Sequence, residues 1–419
     1  MTGAMFASPL RRLILITLLV LGGCATTAAA PGARDDGADR AVLLVSIDGF
    51  RADYLERGLT PNLQALANRG AYGAMRPSFP SKTFPNHYTL VTGLRPDRHG
   101  LVDNVMLDPQ LPGRTFTLSD RTEVTDPVWW GEGLPIWVSA QAAGLSTAVL
   151  FWPGSEAPVA GVQPDRWRIF DMAMSAEARA DQMLAWLDEA PDRGPSLMAL
   201  YFDEVDSYGH WHGPDSDELN AALIRTDAAI GRLLAGLEAR GRLESTDVIV
   251  VSDHGMAETS RERVIALESL VAPEQGRVLS SGVHLTFVPA DGQVEAAEAA
   301  LLRPHPHMEC WRKAELPARF AYGRHRRVAD IFCLAATGWE ILPAGPAARR
   351  PPVGGAHGYD PADPTMAAIF IAAGPRIAPA ARLPIFDNVD VYPLLASLLG
   401  VAPAANDGDA EVLRPILRP

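Results

Sequence analysis

With 419 residues, 47% of them hydrophobic and 21% charged, the chain is long enough for one large α/β domain or two to three smaller ones, and it is neither a disordered tail nor a multispan membrane protein. A formal net charge of −13 makes the surface repel phosphate backbones, which excludes non-specific binding of nucleic-acid duplexes. An anionic substrate therefore needs local cations.

Arg11 and Arg12 precede an apolar run from Leu13 to Leu21, which meets Gly22, Gly23 and Cys24. That order is an export signal, too short to span a membrane. Leu21-Gly22-Gly23-Cys24 resembles a bacterial lipobox, so residues 1–24 are expected to be a signal peptide with Cys24 lipidated as the mature N-terminus; a plain secretory peptide cut nearby is the other reading. Residues 25–39, small and polar, suit a flexible tether. The expected location is the periplasm or the outer membrane of a Gram-negative bacterium, with membrane contact only through that lipid anchor. In such an oxidising compartment Cys310 and Cys333 either pair as a disulfide, contributing about 3 kcal/mol by loop entropy, or remain two unrelated buried thiols.

The folded body is expected over residues 40–419. Ala41 to Ile47 is a continuous apolar run ending in Asp48, the pattern of a strand buried on both faces of a parallel sheet. Similar runs recur at Ser196 to Phe202, ahead of an acidic loop, at Asp247 to Ser252, ahead of Asp253 and His254, and at Met366 to Ala373. Thr147 to Phe151 and His284 to Val288 are weaker strand candidates. Helical patterns lie between them at Pro61 to Asn68, Ala176 to Leu187, Asp217 to Leu237 and Val389 to Leu399. The alternation predicts an α/β fold with a central, mostly parallel sheet and helices on both faces. Residues 256–365 are less regular and are expected to hold an inserted subdomain.

Ligands of open α/β sheets sit beyond the carboxyl ends of the strands. Here those ends present Asp48, Asp206 with His210, and Asp253 with His254, while His357 lies in a glycine-rich loop before the run that begins at Met366. Carboxylates and neutral imidazoles are ligands that borderline divalent cations such as zinc prefer, and this set would hold two ions. Taken singly, each piece reads equally well as a cap or a turn; their recurrence at matching strand ends is the signal. Pro77 to His87 reads as a proline-punctuated loop entering a helix, with Pro85 in its first turn and Thr83 at its N-terminus. The exposed amides there favour an anion, and Thr83 is either a nucleophile or a capping residue.

Ser81-Lys82-Thr83-Phe84-Pro85-Asn86-His87, Thr92-Gly93 and His99 to Asn104 resemble the nucleotide pyrophosphatase/phosphodiesterase family of the alkaline phosphatase superfamily. Asp206 to His210, Ser252 to Met256 and Gly355 to Gly358 are similar to its remaining motifs, in the family's order. The resemblance implies an alkaline-phosphatase-like fold and a bacterial, catalytic-domain-only member. It implies two Zn²⁺ per chain, one held by Asp48, Thr83, Asp253 and His254, the other by Asp206, His210 and His357. It further implies that Thr83 is the nucleophile, that Asn104 holds a phosphoryl oxygen, and that Phe84 and Phe170 sandwich a nucleobase beside Tyr201. Tyrosine is the family's commoner residue where Phe170 falls. The implied reaction is zinc-dependent hydrolysis of nucleotide phosphodiester and pyrophosphate bonds through a nucleotidyl-threonine, releasing a nucleoside 5′-monophosphate from small nucleotide substrates. The alternative is a phosphodiesterase acting at the same metal site on a phospholipid headgroup, from a lysophospholipid or a glycerophosphodiester.

Overall fold

A computed structural model describes residues 41–189, 194–379 and 381–418; the expected leader at 1–24 with Cys24, and the tether at 25–39, lie outside the described residues. The strand Ala41–Ile47 sits in the middle of a nine-stranded sheet. It runs parallel to Leu197–Phe202 on one side and to Thr246–Val251 on the other. Beyond Leu197–Phe202 come Thr147–Leu150 and then Arg166–Arg168, both parallel. Beyond Thr246–Val251 comes Ala368–Ala373, then Ala71–Arg76, with the two-residue strands Ala381–Arg382 and Phe386–Asp387 on the far edge.

Alternation along the central strand explains why both faces are covered. Val42 and Leu44 point into a core shared with the helices Thr83–Thr92, Ile136–Ala142 and Val391–Leu399. Leu43, Val45 and Ile47 point to the opposite core, against Pro61–Arg69, Ala176–Asp188 and Asp217–Ala239. A side chain such as Leu43, wholly withdrawn from water, contributes about 2 kcal/mol by burial.

Two expectations need correction. The apolar run ending at Ala373 is a strand from Ala368, but it is antiparallel to both neighbours. A continuous apolar run reports burial on two faces and not strand direction. Asp206 and His210 lie on a helix, Glu204–His212, and not in a loop. Its only fully buried residues are Val205 and Gly209, so it carries little apolar periodicity to betray it. His284–Pro289 is a strand, as expected, and belongs to a separate sheet.

That separate sheet is antiparallel and four-stranded, in the order Gly276–Ser280, His284–Pro289, Ile331–Ala335 and Met308–Arg312. It has an apolar cluster of its own, including Leu285, Phe287, Leu301 and Ile331. Cys310 and Cys333 face each other across its last two strands and form a disulfide. The described residues nevertheless belong to one compact unit. Among them, no helix is long and apolar enough to cross a membrane.

The helix Thr83–Thr92 is clamped from Pro85 to Thr92, every residue of that stretch being buried. One of its clamps is acid-sensitive. The buried His99 ring accepts from the Leu101 amide at Nδ1 (3.1 Å), so its proton sits on Nε2, which faces the Pro85 carbonyl at 3.1 Å and Thr89 Oγ1 at 3.0 Å. Burial, with His325 and Arg327 adding to it, pulls the His99 pKa down to about 3 from 6.5. In that window the unfolded chain binds the extra proton. Stability present above pH 6.5 is therefore lost as the pH falls, by roughly 1.4 kcal/mol per pH unit. Urea unfolding followed from about pH 6.5 to pH 4 should show a slope shallower by that amount in His99→Asn. Equal slopes in the two proteins would contradict it.

Candidate active site

The chemistry-bearing residues converge at the carboxyl edge of the central strands. Asp48 follows Ala41–Ile47, and its amide continues the ladder onto the Phe202 carbonyl at 2.9 Å. Asp253 and His254 follow Thr246–Val251, and Asp206 and His210 lie one helical turn apart on Glu204–His212. His357 follows the short strand Val353–Ala356. Two glycines allow the close approach. Gly49, at φ +69°, would put a Cβ 3.0 Å from the Asp206 Cα, and Gly355 would put one 2.5 Å from the Gly209 carbonyl oxygen.

These residues form two groups, Asp48 with Asp253 and His254, and Asp206 with His210 and His357, with the donor atoms of each group within 4.8 Å of one another. The protons on the three imidazoles are fixed by what faces them. Nδ1 of His210 meets the Gly355 carbonyl at 2.8 Å, that of His254 the Gly255 carbonyl at 2.9 Å, and that of His357 the Ser81 carbonyl at 2.8 Å. A carbonyl only accepts, so each Nδ1 carries a hydrogen, and in the neutral form of each ring Nε2 keeps its lone pair for a ligand. That lone pair on His254 lies 2.9 Å from Asp253 Oδ2 and 3.4 Å from Asp48 Oδ1. Those on His210 and His357 lie 3.5 and 3.6 Å from Asp206 Oδ1. Asp48 Oδ1, Asp206 Oδ1, Asp253 Oδ2 and His254 Nε2 are buried without a hydrogen-bond partner. Unpartnered acceptors aimed at one another suit a cation between them, and oxygen and imidazole donors fit a divalent metal.

The electrostatics agree. Burial, then the charges of Asp253 and Asp206, push the Asp48 carboxyl well above the usual range, despite the Tyr201 hydroxyl donating to Oδ2 at 2.6 Å. Burial works against ionised Asp253, but His254 and His87 hold its pKa well below the ordinary value. Burial, helped by the charge of Lys82, pulls the His357 imidazole well below its ordinary value, so this ring is neutral.

Thr83 begins its helix, where Lys82 at the cap offers no side-chain hydrogen bond. Asn86 N–H already bonds the Lys82 carbonyl, Pro85 has no N–H, and Phe84 N–H donates to Asn104 Oδ1 at 3.1 Å. The Asn104 amide nitrogen therefore faces away from Phe84. Thr83, Phe84, Asn104, Phe170 and Tyr201 line one cavity of about 250 Å³ together with Asp48, Asp206, His210 and His357. Asp253 and His254 stand behind it, wholly buried. Tyr201 is on the cavity wall, but its hydroxyl is turned to Asp48 and its ring to His87 at 5.0 Å. Sequence reasoning passed over Arg121 and Glu156, which also line the cavity and pair with each other. Glu156 accepts from the Phe170 amide at 3.1 Å. No spacing rule connects them, because they meet only in the folded chain.

Residues 42–360 match the type I phosphodiesterase / nucleotide pyrophosphatase family. The chain belongs to that family. Members hydrolyse phosphodiester bonds with the help of metal ions. An uncharacterised pyrophosphatase/phosphodiesterase of Schizosaccharomyces pombe is 36% identical over 90% of this chain and 80% of its own length. Ectonucleotide pyrophosphatase/phosphodiesterase family member 1 of Mus musculus is 34% identical over 90% of this chain but only 42% of its own length, so the chain spans less than half of that relative. Human ectonucleotide pyrophosphatase/phosphodiesterase 5 superposes with a TM-score of 0.86 at 31% identity, covering 91% of this chain and 100% of its own. An inactive variant of the murine counterpart, solved in complex with AMP, gives 0.85 at 31% identity over 90% of this chain and 100% of its own. This family member is thus an α/β enzyme of alkaline-phosphatase-like fold.

Proposed function

We propose that this phosphodiesterase hydrolyses nucleotide phosphodiester and pyrophosphate bonds with two zinc ions, through a covalent ester on Thr83, releasing a nucleoside 5′-monophosphate. The observation that carries the reading is the pair of donor triads beside Thr83, one lining its cavity with Asp206, His210 and His357, the other reaching it through Asp48 with Asp253 and His254 behind. Asp48, Asp253 and His254, with the Thr83 hydroxyl, would hold one ion; Asp206, His210 and His357 would hold the other. Zinc bound there supplies positive charge that offsets the phosphoryl oxygens and lowers the pKa of a nearby hydroxyl. Thr83 Oγ forms a bond to phosphorus as the bond to the leaving-group oxygen breaks, and the proton given up by the Thr83 hydroxyl passes through solvent to that oxygen. Water then cleaves the Thr83 ester and restores the hydroxyl. The Asn104 side-chain amide donates to a phosphoryl oxygen, its own oxygen being engaged by Phe84 N–H. Phe84 and Phe170 flank the base. Tyr201 holds Asp48 in place through its hydroxyl.

The deciding experiment compares hydrolysis of a nucleotide phosphodiester, lysophosphatidylcholine and a phosphomonoester by one sample of known metal content. The nucleotide should be turned over fastest; a clear preference for the lysophospholipid would overturn the reading in favour of a phospholipid headgroup. Phe84→Ala should raise KM for the nucleotide about ten-fold, a stacking loss of roughly 1–2 kcal/mol, and leave a small chromogenic diester nearly unaffected. Steady-state kinetics on the two substrates read this directly.

We also read residues 1–24 as an export leader with Cys24 lipidated, in a bacterial periplasmic or outer-membrane protein; mass spectrometry of the mature N-terminus tests it.

A further inference from the structure

The four-stranded sheet outside the central one reaches the cavity through a buried carboxylate that the reaction does not use. Asp103 is 3% exposed and precedes Asn104. Its Oδ1 accepts from the Asn104 backbone amide at 2.7 Å. Its Oδ2 accepts from His284 Nε2 at 2.8 Å and from Ser280 Oγ at 2.9 Å. His284 and Ser280 sit on neighbouring strands, Gly276–Ser280 and His284–Pro289, and Ser280 also bonds Thr286 Oγ1 at 2.8 Å. His284 is stacked on Phe332 at 4.9 Å, and its Nδ1 is buried without a partner, so that Asp103 is the acceptor to which this ring is committed.

Asn104 is therefore held from two directions. Phe84 N–H, at the start of the helix that carries Thr83, fixes its side-chain oxygen, and Asp103 fixes its backbone. Neither tie uses the Asn104 side-chain nitrogen. A donor that stabilises developing charge must stand within a few tenths of an ångström of its place, and it depends on the groups that orient it.

We infer that Asp103, braced by His284 and Ser280, is a positioning residue that makes the outlying sheet part of the catalytic apparatus by fixing Asn104 against the phosphoryl oxygen. The inference rests on the reading of Asn104 given above. Burial would raise the Asp103 carboxyl, but His284 and Lys82 keep it ionised, so its acceptor capacity is permanent at neutral pH.

The test is a double-mutant cycle on the metal-loaded full chain, with the p-nitrophenyl ester of thymidine 5′-monophosphate as substrate. His284→Ala should lower kcat about ten-fold and change KM less than about two-fold, a fraction of what removing such a donor outright costs. In an Asn104→Ala background the same substitution should change kcat less than about two-fold, because the group it positions is gone. His284→Gln, which keeps an N–H donor near the Nε2 position, should recover most of the loss. Equal losses in both backgrounds, or an undiminished kcat in His284→Ala, would overturn the inference. Where His284→Ala does not fold, Ser280→Ala carries the same cycle, with kcat lowered about three-fold when Asn104 is present and unchanged in the Asn104→Ala background. Undiminished kcat in Asn104→Ala itself would instead refute the site reading on which this inference stands.

Discussion

Thr83→Ala is expected to lower turnover of a nucleotide phosphodiester by about 10³-fold or more while leaving the fold and most of the bound metal in place. The side chain is half-buried and stands at the first residue of a helix whose later residues are clamped in the core. Removing its hydroxyl leaves that packing alone, since alanine is a better helix former than threonine. The remaining carboxylate and imidazole donors still face one another, so metal retention should fall far less than turnover. Pre-steady-state kinetics give the sharper readout. Wild type should trap labelled nucleotide covalently on a tryptic peptide containing Thr83, and the variant should trap none. Normal turnover in the variant would remove the covalent step.

Chelation should produce the second large effect. Stripping divalent ions is expected to bring turnover below about 1% of the loaded enzyme and to lower Tm, with both restored by added zinc. The stability change follows from the buried, unpartnered oxygens of Asp48, Asp206 and Asp253, which repel one another when no cation lies between them. An ion at a hundred times its Kd contributes about 2.7 kcal/mol to the folded state, and two such sites contribute more. Calorimetry with and without chelator measures this, alongside elemental analysis of the dialysed protein. A Tm and a turnover that are both indifferent to chelation, in protein confirmed metal-free, would refute the assignment of these residues as ligands.

The two effects separate two sources of catalysis. Thr83 concerns the bond formed to phosphorus; the triads concern the charge that must be balanced in a protein of net charge −13. Nε2 of His254 and of His357 faces the buried carboxylates while Nδ1 of each ring is engaged by a carbonyl, so the balancing charge would come from ions held between them.

Much of this was legible in the chain itself. A strand buried on two faces must be an apolar run, and the first polar residue beyond it must emerge at the sheet edge. Asp48 could be placed on that ground alone and Asp253 one residue beyond it, after Ser252, as could Thr83 ahead of a proline suited to a helix's first turn. Local hydrophobic pattern and local steric rules decide such positions, and both are written into neighbouring residues. Tertiary structure alone decided what depends on distant segments meeting. The antiparallel run of Ala368–Ala373 is one case, because burial is blind to direction. The helical face joining Asp206 to His210 is another, since a half-buried helix of nine residues with Val205 as its one large buried apolar side chain has little apolar period to read. The grip of His284 on Asp103, formed across 181 residues, is the clearest. A hydrogen bond at that separation is set by how the outlying sheet packs against the central one, and no periodicity in either segment encodes its partner.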